Sequence, residues 1–380
     1  MRIVMFYHSL ASDWNHGNAH FLRGVVAELQ SRGHRVRVLE PGDSWSRAHL
    51  IREQGNQALE EFRQAYPHLE SRQYTWETLD LNTELEGADL VLVHEWNDHH
   101  LVEAIGRHRA AVGGYRLLFH DTHHRSVTER ASMAAYRLES YDGVLAFGEV
   151  IRQRYLAEGW ADRVWTWHEA ADTRVFFPRR TTARDQSDVV WVGNWGDEER
   201  SAELKEFLID PVASLGLSAR VYGVRYPVEA LTRLAAAGIQ YCGWIPNYRV
   251  PQVLADHRLT LHIPRRPYVE ALPGIPTIRV FEALACGIPL ICSPWDDAEH
   301  LFSPGVDFLV ACNGAEMRQQ IAWLLHDREA AFELARHGRE TVLRRHTCGH
   351  RVNQLMAIMG ELTGEHDAAA FSQTPGETKS

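Results

Sequence analysis

The residue types best suited to chemistry cluster between positions 264 and 295, in PRRPYVEALPGIPTIRVFEALACGIPLICSPW. The turn Leu272-Pro273-Gly274-Ile275-Pro276 precedes a helix starting near Thr277. Proline is favoured at such a start because its missing N–H has no intrahelical partner. The start of a helix offers free backbone N–H groups and the positive end of a dipole, which suits a diphosphate, so Gly274, Ile275 and Thr277 are candidate contacts. Glu282 lies further inside the helix. A carboxylate there would repel an adjacent phosphate and is better placed to accept hydrogen bonds from ribose hydroxyls. Arg265 and Arg266 follow a predicted strand over 259–263. Each can clamp phosphate oxygens through paired N–H groups, the alternative being a solvated loop pair. Arg279 is placed to meet either a phosphate or Glu282.

Other candidates follow other strands. Gly193-Asn194-Trp195-Gly196-Asp197-Glu198-Glu199-Arg200 combines a glycine that admits close backbone approach with a basic residue at its end. In Asn15-His16-Gly17-Asn18, His16 is a candidate catalytic residue and Gly17 and Asn18 are candidate contacts on the acceptor side, although Asn18 also reads as a helix cap. His120-Asp121-Thr122-His123-His124 puts imidazoles and a carboxylate after a strand, where Asp121 or His123 suits proton transfer from a hydroxyl and the histidines equally suit a metal. Glu95-Trp96-Asn97-Asp98 fits an acceptor-lining loop without deciding for one. The 12 tryptophans could include some that stack on sugar rings, but most large aromatics belong to cores.

The elements that must position these residues show as short apolar runs alternating with amphipathic segments, the pattern of βαβ units and parallel sheets. Strands are expected at 2–7, 35–39, 88–94, 115–120, 143–147 and 164–167. A helix is expected at 19–31, with Phe21, Leu22, Val25, Val26 and Leu29 at helical spacing. Residues 43–80 are polar and helix-favouring with weak strand signals, and read as an insertion of one or two helices. A second alternation places strands at 188–192, 219–222, 239–244, 259–263, 289–293 and 308–311. Helices are expected at 202–208, 228–237, 250–256 and 278–285, and the end reads as helical over 315–362. The fold class is therefore α/β, with two Rossmann-like doubly wound domains facing across a cleft. The first spans 1–178 and the second 188–345, followed by a closing helix over 346–362 and a disordered tail over 363–380.

The 380 residues suffice for two such domains, and 45% apolar with 24% charged residues is a globular composition. A formal net charge of −10 disfavours nucleic acid as a partner. No apolar run is long enough for a transmembrane segment, and the start lacks a signal-peptide pattern. The 5 cysteines show no C-x-x-C spacing, which argues against a zinc site or disulfide framework and for the cytoplasm. Most of the 22 histidines, such as His108 and His337, read as surface residues.

Phe281-Glu282-Ala283-Leu284-Ala285-Cys286-Gly287-Ile288-Pro289 resembles the signature of GT-B glycosyltransferases of the glycosyl-transferase group 1 type. Ser303-Pro304-Gly305-Val306-Asp307-Phe308-Leu309-Val310 looks like that family's following loop, and Asp172-Thr173-Arg174-Val175-Phe176-Phe177-Pro178 like its entry into the second domain. Arg279 to Glu282 is similar to the version found in CgeB-type, spore-maturation-like members. The resemblance implies transfer of a sugar from a nucleotide-diphosphate sugar to an unidentified acceptor, whether glycan, lipid-linked or protein. It implies a ribose-binding role for Glu282 and a loop from Gly193 to Arg200 over the donor phosphates. It also implies no cofactor beyond the nucleotide-sugar co-substrate and no metal. Retaining members carry a further glutamate eight positions before the ribose-binding one, and here that position is Gly274. An epimerase or phosphorylase of the same shape, or a non-catalytic sugar-nucleotide-binding protein of surface assembly, are the rival readings. A Rossmann oxidoreductase is disfavoured because no G-x-G-x-x-G follows the first strand.

Overall fold

The computed structural model describes residues 1–184 and 186–364. Its first sheet contains β1 (Arg2–Phe6), β2 (Arg35–Pro41), β3 (Ser71–Tyr74), β4 (Leu90–His94), β5 (Arg116–Asp121), β6 (Gly143–Ala146) and β7 (Val164–Thr166). The seven strands lie in the order β3-β2-β1-β4-β5-β6-β7, with every pairing parallel. The second sheet contains β8 (Ser187–Val192), β9 (Ala219–Tyr222), β10 (Ile239–Tyr241), β11 (His257–His262), β12 (Leu290–Cys292) and β13 (Leu309–Val310). Its six strands are also parallel, in the order β10-β9-β8-β11-β12-β13.

Parallel strands need helical crossovers, and the crossovers cover both sheet faces. In β1, Ile3 and Met5 join one apolar cluster with Phe21, Leu22 and Val25 of the helix Ala19–Ser31. Val4 and Phe6 point to the opposite face and pack with Leu101, Val102 and Ile105 of the helix His99–Val112. Each such buried side chain contributes roughly 1.5–3 kcal/mol relative to exposure.

Strand order fixes where a ligand can sit. The chain leaves β1 for opposite sides of the sheet, toward β2 and β4, and leaves β8 likewise toward β9 and β11. At such a switch point the loops beyond the strand ends diverge and open a crevice. The loops after β1, β4 and β5 of the first sheet therefore face those after β8 and β11 of the second.

Three local features depart from the sequence expectation. Residues 43–80 hold the helices Trp45–Gln54 and Gln57–Ala65, but also the edge strand β3. Its sequence SRQY shows no apolar alternation, because an edge strand needs only one partner and little burial. The helix expected over 202–208 is split into Ser201–Leu204, a π-type turn Lys205–Ile209 and Asp210–Leu215, with Pro211 accommodated in the first turn of the last piece. The helical end is three helices, Gly314–His326, Arg328–Arg345 and Cys348–Thr363. The breaks fall at caps: Asp327 accepts from the Ala330 N–H at 2.9 Å and Thr347 from the His350 N–H at 3.4 Å. The last helix returns to the first domain, where Trp167 Nε1 donates to Arg351 O at 2.8 Å and Arg351 Nε donates to His168 O at 2.8 Å. Of the tail expected over 363–380, residues 365–380 lie outside the described residues.

Candidate functional site

A cleft of ≈ 440 Å³ lies between the two sheets, at the carboxyl ends of β1, β4, β5, β8 and β11. Polar contacts hold the two lobes around it. Asn15, in the left-handed region at φ 48, accepts from Asn194 Nδ2 at 2.5 Å across the gap. Asp13 accepts from Arg23 Nη1 (2.9 Å) in its own domain, and from Trp244 Nε1 (3.1 Å) and Asn247 N–H (3.0 Å) in the other.

The second-domain wall is cationic. Arg200, Arg265 and Arg279 all line it. Arg265 pairs with Glu199 at 2.8 Å, and Arg279 contacts Glu282. Arg200 has no carboxylate ion-pair partner among the described residues. Its guanidinium donates to Ile263 O (3.0 Å) and Asn194 O, and lies over the Trp191 ring at 5.0 Å. Burial lowers its pKa, and the charges of Arg265 and Arg279 lower it further. A guanidinium nevertheless stays charged at neutral pH. It is a desolvated cation lacking a counter-anion, which is costly unless an anion arrives. Gly193 begins the loop carrying Arg200, and a Cβ there would stand 2.6 Å from the Trp191 ring, so only glycine fits.

Beside these arginines stands the start of the helix Ile278–Cys286. Thr277 is its N-cap, in extended conformation with no side-chain cap bond, and Thr277, Ile278 and Arg279 all line the cleft. Thr277 Oγ1 lies 3.1 Å from His262 Nε2, and burial brings the His262 pKa down to about 3, so that ring is neutral. Glu169 also lines the cleft, its carboxyl facing the Ile278 N–H while Oε1 is buried without a partner. Burial, reinforced by the Glu282 charge, raises the Glu169 pKa to about 8, so the group is neutral at pH 7. The helix tip thus keeps its positive character.

The first-domain wall is aromatic and includes one ion-paired carboxylate, Glu129, which accepts from Arg125 Nε at 3.0 Å. His16, Gly17, Asn18, Trp45, Trp96 and His123 line it. Burial holds His123 well below the ordinary imidazole pKa, and the charges of His124, Arg265 and Arg125 add to this. His16 is held down by burial, then by His8 and Arg23. The buried atoms His16 Nε2 and His123 Nδ1 have no partner. Asn18 Nδ2 donates to Thr122 O at 3.1 Å, tying the loop after β1 to the loop after β5. Among the described residues no three His, Cys, Asp or Glu side chains converge as a metal-ligating group.

Of the residues singled out from sequence, His16, Gly17, Asn18, His123, Gly193, Arg200, Arg265, Thr277 and Arg279 come together around this one cleft. Five others do not line it. Asp121, expected as an acid or base, is wholly buried. Its Oδ1 accepts from the His123 N–H (3.1 Å) and its Oδ2 from Tyr155 O–H (2.9 Å), so it shapes the loop behind His123. Glu282, expected to be open to a ribose, is 1% exposed. Its Oε1 accepts from His20 Nδ1 at 2.9 Å while Oε2 contacts Arg279, and His20 Nε2 in turn accepts from the Asp172 N–H at 2.8 Å. Burial raises the Glu282 pKa, but Arg279 and His20 outweigh it and the carboxylate stays charged. Arg266 turns away to Glu203 at 3.1 Å. Ile275 is buried against Gly148 of the first domain. Gly274, at φ +87, leaves the space that Glu299 occupies, since a Cβ there would lie 2.8 Å from Glu299 Cγ. Sequence reasoning missed Glu169, Asn194 and His262 as lining residues, although each follows or ends a strand on the cleft side.

Residues 200–357 match a protein-family model described as "Glycosyl transferase-like". No curated protein matches the chain. Among solved structures, HepE from Anabaena in complex with UDP and glucose is similar over 95% of this chain and 99% of that chain, with a TM-score of 0.67 and 15% identity. Sucrose-phosphate synthase from Thermosynechococcus elongatus matches over 97% of this chain and 100% of that one, with a TM-score of 0.67 and 16% identity. An alpha-glucosyltransferase in complex with UDP and a 13-mer DNA containing a HMU base matches over 94% of this chain and 99% of that one, with a TM-score of 0.68 and 11% identity. These likenesses show the two-domain fold of GT-B glycosyltransferases.

Proposed function

We propose that the protein is a glycosyltransferase that takes a sugar from a nucleotide-diphosphate sugar, with a uridine diphosphate donor as the first candidate. The observation that carries this reading is the convergence of Arg200, Arg265 and Arg279 with the start of the helix Ile278–Cys286 on one cleft wall. The match of residues 200–357 to a glycosyl transferase-like family supports it, as do similar folds solved with UDP or with UDP and glucose.

In the proposed reaction an acceptor hydroxyl oxygen bonds to the anomeric carbon of the donor. The bond from that carbon to the β-phosphate oxygen breaks, and the nucleoside diphosphate leaves with the electron pair. Negative charge grows on the diphosphate as the bond breaks, and pre-aimed guanidinium and backbone N–H groups stabilise it most in the transition state. The acceptor proton passes to a neutral imidazole, His123 or His16, or to the departing diphosphate. When the diphosphate draws Arg279 away, Glu282 is freed on one oxygen to accept a ribose hydroxyl. The arginines and helix start supply the charge compensation in this scheme, with no metal required. Three buried, unpaired cysteines, Cys286, Cys292 and Cys348, support a reducing compartment such as the cytoplasm.

Titration calorimetry with UDP, and with UDP-, GDP-, ADP- and dTDP-sugars, tests the reading. Binding of at least one nucleotide-sugar, weakened in Arg200→Ala, is expected. A wild-type protein that binds none of them contradicts it.

A further inference from the structure

The two walls of the cleft differ in kind. Among the described residues, the four arginines that line it, Arg200, Arg225, Arg265 and Arg279, come from the second domain, and the first-domain wall lends no lysine or arginine. That wall instead carries two half-buried indoles, Trp45 at the start of the helix Trp45–Gln54 and Trp96 in the turn after β4.

Each indole is braced from behind. His8 packs on Trp45 with ring centroids 4.7 Å apart and planes 31° apart, and the edge of Trp14 meets it at 6.2 Å. Arg125 places its guanidinium 4.8 Å from the Trp96 centroid, and the His123 ring meets Trp96 at 5.1 Å. The two indoles meet each other edge to face at 6.2 Å, forming a fixed corner. Trp14 Nε1 donates to Glu53 at 2.7 Å and Trp167 Nε1 to Arg351 O at 2.8 Å, whereas neither Trp45 nor Trp96 donates to a protein acceptor among the described residues. Around the corner stand groups that can either donate or accept. His16 Nε2 and His123 Nδ1 are buried without partners, and Asn18 keeps its side-chain oxygen free of the bond that its amide nitrogen makes.

We propose that this wall is an acceptor subsite for a neutral saccharide, whose ring stacks on Trp96 and Trp45 while its hydroxyls bond to His16, Asn18 and His123. The inference rests on reading the cleft as a glycosyl-transfer site. A sugar ring is apolar on its C–H faces and polar around its rim, which matches aromatic faces bordered by the hydrogen-bonding groups of His16, Asn18 and His123 and by the carboxylate of Glu129. A phosphorylated or nucleic-acid acceptor would need cations on this wall, and there are none among its lining residues. A lipid chain would need an aliphatic groove, and among the described residues the only other apolar side chain lining this side is Phe147.

The test measures binding to the full chain by saturation-transfer NMR and calorimetry, with and without saturating UDP. The probes are maltose, lactose, cellobiose and chitobiose, compared with glucose 6-phosphate, decanoate and a thymidine 12-mer. At least one disaccharide is expected to bind wild type. Trp45→Ala and Trp96→Ala should each weaken it at least tenfold, and Trp96→Phe should restore it to within threefold, while UDP affinity stays within twofold in all three. Disaccharide binding unchanged in both alanine variants overturns the proposal, as does binding of the phosphate, acyl or nucleotide probe in place of every disaccharide, or of no probe at all. Failure of wild type to bind UDP would instead strike the donor reading, and saccharide binding measured without UDP keeps the two results apart.

Discussion

Replacing Glu169 with glutamine should change how stability depends on pH, and the size of the change follows from the site. The carboxyl is 3% exposed, its Oε1 has no partner, and its pKa rises from the ordinary 4.5 to about 8, through burial first and the Glu282 charge second, with Arg279 and the Ile278 N–H pulling the other way. Tyr268, packed nearby, is itself held protonated by burial and then by Glu169. Between pH 4.5 and 8 the unfolded chain has lost this proton and the folded chain has kept it. The wild type therefore loses stability as pH rises through that window, by about 1.4 kcal/mol per pH unit from this group alone. Glutamine keeps the shape, stays neutral and removes that dependence. Urea unfolding of both proteins at pH 5, 6, 7 and 8 should show Glu169→Gln gaining on wild type at each step, by roughly 3–4 kcal/mol over the series. UDP binding should follow. An ionised carboxylate at the helix start repels a diphosphate, so wild-type affinity should fall above pH 8 and the variant's should fall less. Parallel stability curves, with a difference that does not move with pH, would refute the reasoning.

Removing the unpaired cation by Arg200→Ala should weaken UDP binding by about 10- to 100-fold, the range expected when a hydrogen bond to a charged group is lost, without lowering the unfolding midpoint; calorimetry and thermal shift together check both. Glu282→Ala leaves His20 without its acceptor and Arg279 without its counter-ion, so it should destabilise the fold by about 3–5 kcal/mol, measured by urea unfolding, as well as weaken nucleotide binding. Gly274→Ala forces a Cβ onto Glu299 at positive φ and should cost about 1–3 kcal/mol by the same measurement, whereas Gly113→Ala, also at positive φ but facing only the flexible end of Arg109 at 4.0 Å, should cost less. Burial holds His16, His94, His120 and His262 below the ordinary pKa of 6.5. The unfolded chain takes up protons that the folded chain refuses, so these four groups should lower stability as pH falls below about 6.5. An unfolding midpoint whose histidine-dependent part does not move between pH 7 and 5 would contradict that assignment.

Much of the fold was legible because parallel strands buried on both faces leave uniform apolar runs, as in Arg2–Phe6 and Leu90–His94. The strand β3 was not, because SRQY at a sheet edge carries no apolar signal. The site was legible wherever function follows strand ends, which is how His16, His123, Gly193 and Arg265 were brought to one cleft. What the sequence could not display is which way a side chain turns. Arg265 and Arg266 are adjacent, yet one lines the cleft and the other pairs with Glu203. Glu282 carries the most distinctive motif but is held by His20, which stands 262 positions away in the chain. Glu169 carried only the weak signal of following a strand end, since its raised pKa arises from burial by parts of the chain remote in sequence.

The most direct test of the central claim is a structure of the protein with UDP bound. The account predicts the diphosphate against the backbone N–H groups of Ile278 and Arg279, within hydrogen-bond distance of the Arg200 and Arg265 guanidinium groups, with Arg279 moved off Glu282. A nucleotide whose phosphates lie on the first-domain wall, or that leaves Arg200 bonded to backbone oxygens alone, would contradict it.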